Sequence, residues 1–116
     1  MNLNPTVIAA LKPLGYPIRH LTWRSIDGAK PDTYFVFFFY SDAEGDWASG
    51  KAIREDVVGQ VSLFSKGNYK TLADNAVAAL KSAGFYASQG QEFYEEETGY
   101  YHQIIDVAWY EDLYSR

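Results

Sequence analysis

Residues 33–40 break the usual pattern of a surface strand. Tyr34, Val36, Phe38 and Tyr40 alternate with Phe35, Phe37 and Phe39, and neither set is polar. A half-exposed strand hides one face and wets the other, so a strand that is apolar on both faces needs both covered. The run is aromatic and free of Gly and Pro, which predicts strand. Elsewhere the periodicity is simpler. Asn4 and Pro5 read as an N-cap and first helical position, and Val7, Ile8, Leu11 and Leu14 recur at helical spacing. Pro13, Gly15 and Pro17 end that helix near 11–14. Alternation over 18–26 predicts a first strand, and the Gly- and Pro-bearing 27–32 a turn.

After the aromatic strand, 41–55 has the composition of a long, mobile loop between extended hairpin arms. Residues 57–64 predict a third strand, with Gly59 marking a bulge. Leu72, Ala73, Ala76, Val77, Leu80 and Ala83 then form a helical stripe over 69–83, capped by Asn68 and closed by Gly84. Its alanines allow close packing on a sheet. Two further strands, 86–94 and 100–110, flank an acidic turn at 95–99. The order α-β-β-β-α-β-β predicts an α+β fold, a mixed or antiparallel sheet of about four to five strands flanked by two helices. The Ala-striped helix would cover one face of the aromatic strand. The N-terminal helix, or a neighbouring subunit, would cover the other.

Length makes this one domain, 1–116. A chain of that size buries roughly two thirds of its unfolded surface, enough for one core. It has no cysteine, which removes disulfides and thiolate metal sites and suits a reducing compartment. No apolar run approaches the ~20 residues of a membrane span, and the start carries no basic leader, so neither a membrane nor a signal peptide is expected. A net charge of −5 argues against a protein that works by neutralising phosphates. Its densest basic cluster, Arg19, His20 and Arg24, is thin. Aromatic content is the unusual feature: 17% of the chain, with ten tyrosines, which suits an aromatic core or a protein interface.

Candidate chemistry is sparse. "GDWASGKA", 45–52, approaches a phosphate-binding loop, but Ala52 stands where a metal-binding hydroxyl is required, and no helix is predicted to start at Lys51. "DAEGDW", 42–47, fails as a calcium loop because Trp47 and Ile53 occupy the positions that need Gly and Glu. Three consecutive glutamates at 95–97 read as solvated surface. His20 and His102 lie on separate predicted strands, and no nucleophile elbow is present. No catalytic constellation emerges, so no enzyme activity is expected. Trp47, in a polar loop, either tucks back onto its own domain or serves as an anchor for a partner.

Four segments in order, "NPTVIAALKPLGYPI", "PDTYFVFFFY", "VSLFSKGNYKTLADNAVAALKSAGF" and "FYEEETGYYHQIIDVAWY", span nearly the whole chain. Together they resemble the small tail completion, or tail terminator, proteins of long-tailed bacteriophages and prophages. Phe64 stands where that pattern leads one to expect tryptophan, and the basic, aromatic "RHLTWRS" is a second departure. The resemblance implies an α+β fold, monomeric or weakly associated when free. It implies a hexameric ring on the end of a finished tail tube, which stops tail polymerisation and forms the tail side of the head–tail joint. The implied partners are copies of the chain, the major tail tube protein and the head connector protein, with no cofactor, no metal and no direct nucleic-acid contact. The implied location is the host cytoplasm during assembly and then the virion.

Asp42, Glu44, Asp46, Trp47, Lys51 and Arg54 in the predicted arm, with Tyr34 and Phe38 on the aromatic strand, are the candidate contacts for a neighbour or the tube. The arm is expected to be mobile in the monomer and ordered in the ring. Another connector component, a stopper or adaptor, is the alternative. More distant readings are a nucleotide-binding enzyme using 45–52 and a module stacking bases on aromatic strands.

Overall fold

A parallel pair of neighbouring strands cannot be joined by a tight turn; it needs a crossover of about a dozen residues. One such crossover, and a second between parallel strands that are not neighbours, organise this chain. The fold is a computed structural model that describes residues 2–48 and 51–112, with side chains described apart from 41–55 and 111–112. Helix α1 (Asn4–Leu11) runs into a 3₁₀ turn (Lys12–Leu14), then β1 (Ile18–His20) and a second 3₁₀ turn (Ser25–Asp27). There follow β2 (Thr33–Ala48), β3 (Lys51–Ser65), α2 (Lys70–Ser82), β4 (Tyr86–Glu95) and β5 (Tyr100–Asp112). The five strands form one sheet in the order β1-β2-β3-β5-β4. β1 is parallel to β2, and the remaining neighbours are antiparallel. The class is therefore α+β with a mixed sheet, as the order of elements predicted.

β3 and β4 each run antiparallel to β5, so they are parallel to one another, and α2 is the crossover between them. Both helices land on the same side of the sheet. Val7 and Leu11 of α1 join Ala73, Ala76 and Leu80 of α2 in one core with Phe35, Phe37, Val61, Leu63 and Ile105. The sequence had suggested opposite sides for the two helices. The structure corrects this: the small residues on α2 leave room for α1 beside it, and the two helices pack on each other as well as on the strands. The N-cap of α2 is Tyr69, one residue after the anticipated Asn68, whose Oδ1 instead accepts the Lys70 amide at 3.2 Å in the turn before the helix. At the other helix the N-cap is Leu3, one residue before the anticipated Asn4, and Asn2 Oδ1 accepts the Asn4 amide at 3.0 Å just ahead of it. Gly84 takes a left-handed φ of +109° at the end of α2, and any Cβ there would meet the Trp109 ring at 2.8 Å.

The other crossover, residues 21–32, joins β1 to β2 over the opposite side of the sheet. Only the first three residues of the predicted strand 18–26 form one. β1 stops at His20, and Leu21 adopts a positive φ of 72°, which turns the chain out of the sheet. A turn at 27–32 suits an antiparallel hairpin, whereas the observed parallel pairing demands this longer excursion. Within it, Trp23 Nε1 donates to the Gly28 carbonyl at 3.0 Å, and Arg19 lies over the Trp23 ring at 4.7 Å. Asp27 is 3.4 Å from Arg19 and 3.8 Å from Arg24.

Residues 41–55, anticipated as a loop, are paired strand along their described length. β2 continues to Ala48, and β3 begins at Lys51, in register from Ser41↔Val58 to Ala48↔Lys51. Polar composition misled here because an antiparallel ladder is held by backbone amides and carbonyls, which every non-proline residue carries. The anticipated bulge also moves. The extra residue is Tyr40 on β2, between Phe39 and Ser41, facing Gly59 across the ladder. A Cβ at Gly59 would collide with the Phe38 carbonyl and lie 2.7 Å from Phe39 Cδ1, so glycine is there for close approach of backbone. The hairpin lengthens the molecule to 53 × 29 × 24 Å, with a radius of gyration of 15.8 Å. A rounded domain of this size would have a radius of about 13 Å.

Candidate functional site

The sheet face opposite the helices divides into two halves. In the first, Tyr34 and Val36 are buried with Tyr100, and Trp23 and Phe64 pack against them. Tyr34 stacks on Phe64 at 5.0 Å and meets Trp23 at 5.4 Å, and the Tyr100 hydroxyl donates to the Pro31 carbonyl at 2.6 Å. Burial first, then the neighbouring Tyr100 and Glu95, pushes the Tyr34 phenol up to about 12. Tyr34 is thus an internal group of this cluster, 3% exposed, and offers no free surface to a neighbour. Phe38, the other predicted contact on this strand, is half-buried and lies beside Tyr40 at 5.7 Å.

The second half has no such cover. Tyr40 is 60% exposed and Tyr86 66%, and between them lies an open hollow of about 600 Å³ floored by Val58, Asp106 and Ala108. Tyr110 continues the surface, 5.2 Å from Tyr86. Register explains how these residues meet. Val58 opposes Ala108 on β5, Ala108 opposes Tyr86 on β4, and Gln60 opposes Asp106. The sequence reading missed Tyr86, Asp106 and Tyr110. Alternation of Asp106 and Tyr110 with buried Val107 and half-buried Trp109 placed those two on one face, but only strand order could bring Tyr86 and Tyr40 beside them.

Further along, His102 stacks on Phe64 at 4.2 Å with its Nε2 buried. Burial pushes its imidazole down, against a smaller opposing pull from Glu95. His20 sits on β1 against Phe37 at 5.3 Å, so the two histidines do not converge. Among the described residues no group of three or more His, Cys, Asp or Glu could hold a metal ion. On the helix side, Gln103 is buried and its amide nitrogen donates to the carbonyls of Gly90 at 3.1 Å and Ile104 at 2.9 Å. It braces β4 where the register slips between Gln89 and Glu92. It is a structural polar group at an irregular edge.

The predicted arm contacts Asp42, Glu44, Asp46, Trp47, Lys51 and Arg54 all fall in the β2–β3 hairpin. Their side chains lie outside the described residues. The backbone alone bears on the phosphate-loop reading: Lys51 opens an antiparallel strand, whereas a phosphate loop requires a helix at that lysine. The glutamates at 95–97 surround a turn in which the Gly99 amide donates to the Glu95 carbonyl at 2.8 Å, and all three are exposed. No described helix is long and apolar enough to cross a membrane.

No family model matches the chain, and no curated protein matches it either.

Proposed function

We propose that the chain is a structural phage assembly protein that caps a finished tail tube as a ring and forms the tail side of the head–tail joint. The observation that carries this reading is the aromatic half of the sheet, the exposed Tyr40, Tyr86 and Tyr110 around a floor of Val58, Ala108 and Asp106. Tyr-rich surfaces with an apolar body and a polar tip are what protein contacts select. The long β2–β3 hairpin adds a second feature suited to assembly, an arm that reaches past the body towards a neighbour or the tube. The four sequence segments that resemble tail terminators give the reading its specific form. Its partners would be copies of the chain, the major tail tube protein and the head connector protein. Its place would be the host cytoplasm during assembly, and the virion afterwards.

Electron microscopy of tails made with and without the protein tests this. Tails of uncontrolled length are expected in its absence. Tails of normal length that fail only to join heads would point to a stopper or adaptor instead. Complete, infectious particles without it would overturn the proposal.

A further inference from the structure

The sheet ends in two unlike edges. β1 has three residues, and shortness is one way in which a protein blunts an edge. β4 has ten and pairs only with β5, so its other side offers unpaired amides and carbonyls. A slip in register between Gln89 and Glu92 interrupts it, where Gln103 holds the carbonyls of Gly90 and Gln91. Beyond the slip, residues 92–95 run in even register on 100–103, and all four are exposed. Phe93 is 46% exposed and Tyr94 53%, on opposite faces of the strand. An open edge with side chains to grip on each face is what strand addition uses.

Charge indicates what the added strand carries. From Glu92 to Asp112 the chain holds seven acids and no base, whereas residues 1–81 hold eight acids and nine bases. The net charge of −5 therefore belongs to the β4–β5 hairpin. Glu95, Glu96 and Glu97 are exposed and form no ion pair among the described residues; Lys30 shares a hollow with Glu95 without pairing to it. Elsewhere the chain twice sets one cation between a ring and a carboxylate. Arg19 lies over Trp23 at 4.7 Å and 3.4 Å from Asp27. Lys70 lies over Tyr69 at 5.6 Å and 3.6 Å from Glu92. Phe93 and Glu95 repeat the pairing of ring and acid on one face of β4, with no described cation between them.

We infer that β4 takes an arginine-bearing extended segment of a partner protein as a sixth strand along 92–95. The segment's backbone extends the ladder, and an arginine stacks on Phe93 while its N–H groups reach the Glu95 carboxylate. This contact does not depend on the assembly reading and holds whichever protein supplies the strand.

Fluorescence anisotropy with short labelled peptides tests it, one alternating arginine with threonine and one alternating glutamate with threonine. The arginine peptide should bind and the glutamate peptide should not. A strand points alternate residues' amides at its neighbour, so N-methylation of one alternate set should abolish binding and methylation of the other should leave it. Glu95→Gln should weaken binding by about tenfold, and Glu97→Gln, which removes the same charge beyond the strand, by no more than about twofold. No binding by the arginine peptide, equal binding of the two peptides, indifference to both methylated sets, or equal loss from the two substitutions would overturn the contact. So would protection of the 92–95 amides from hydrogen exchange that rises with the concentration of the chain alone, which would give this edge to a second copy. Infectious particles made without the gene would remove the assembly reading and leave this contact standing.

Discussion

Phe35 and Tyr34 are adjacent on β2 and nearly equally hidden, at 0% and 3% exposure, yet different parts of the chain hide them. Phe35 faces two helices and lies in a core built from five elements far apart in sequence. Tyr34 faces a single short excursion and a cluster held by ring contacts, with Trp23 at its edge. The first cover is broad and continuous to Trp109. The second stops after Val36 and leaves Tyr40 and Tyr86 to solvent. A doubly apolar strand therefore does not have to be a fully buried one. Its helix side is the protein's stability, and its other side is half finished, which is where a partner can act.

The strongest test of that difference is a pair of truncations. Phe35→Ala should cost about 3–5 kcal/mol, the range for removing a buried aromatic, because the helices can collapse only in part onto the space. Tyr40→Ala should stay within about 0.5 kcal/mol in the isolated chain. Urea unfolding of both variants measures the gap, and equal losses would mean that Tyr40 is core. Next in size is Trp23→Ala. Loss of the half-buried indole and its bond to Gly28 should cost about 1–2 kcal/mol and change the near-ultraviolet circular dichroism, while the helical signal persists. Loss of the helical signal would show that the two covers are not separable.

Acid and base should probe the outer face by smaller amounts. The Tyr34 phenol sits at about 12 in the folded chain against an ordinary 10.0, so the unfolded chain loses its proton first. Stability from this group is complete below pH 10 and is lost between about 10 and 12. Tyr34→Phe should make the alkaline decline shallower; Tyr69, also raised to about 12 by burial first and Glu92 second, should sustain the remainder. His102 works at the other end. Its folded pKa lies below 6.5, so the unfolded chain takes up a proton first, and stability falls as pH drops through 6.5. His102→Gln should flatten that slope. An unchanged acid profile would mean that the imidazole is solvated and not held against Phe64.

Much of the fold could be read along the chain because it rests on local periodicity. The α2 stripe of Leu72, Ala73, Ala76, Val77 and Leu80 needs only a helical repeat; Asn68 bonds in the turn just before it, and Gly84 ends it by backbone conformation. The strands at 86–95 and 100–112 and the turn between them follow from alternation and one glycine of positive φ. The hairpin itself was expected, but composition hid that its strands pair through 41–48 and 51–55. Asp42, Glu44 and Asp46 look like loop residues, but ladder pairing is made by amides and carbonyls that every non-proline residue carries.

The amino-acid order by itself determined that residues 33–40 are strand and that both faces of that strand are apolar, because side chains alternate whatever the strand pairs with. Tertiary structure alone decided how each face is covered. Parallel pairing of β1 with β2 sent residues 21–32 over one face, and the α2 crossover brought both helices to the other. The bare hollow likewise exists only because β3, β5 and β4 lie side by side in an order unlike their order in the chain. Periodicity is a property of neighbours in sequence; coverage is a property of neighbours in space, and here long crossovers separate the two.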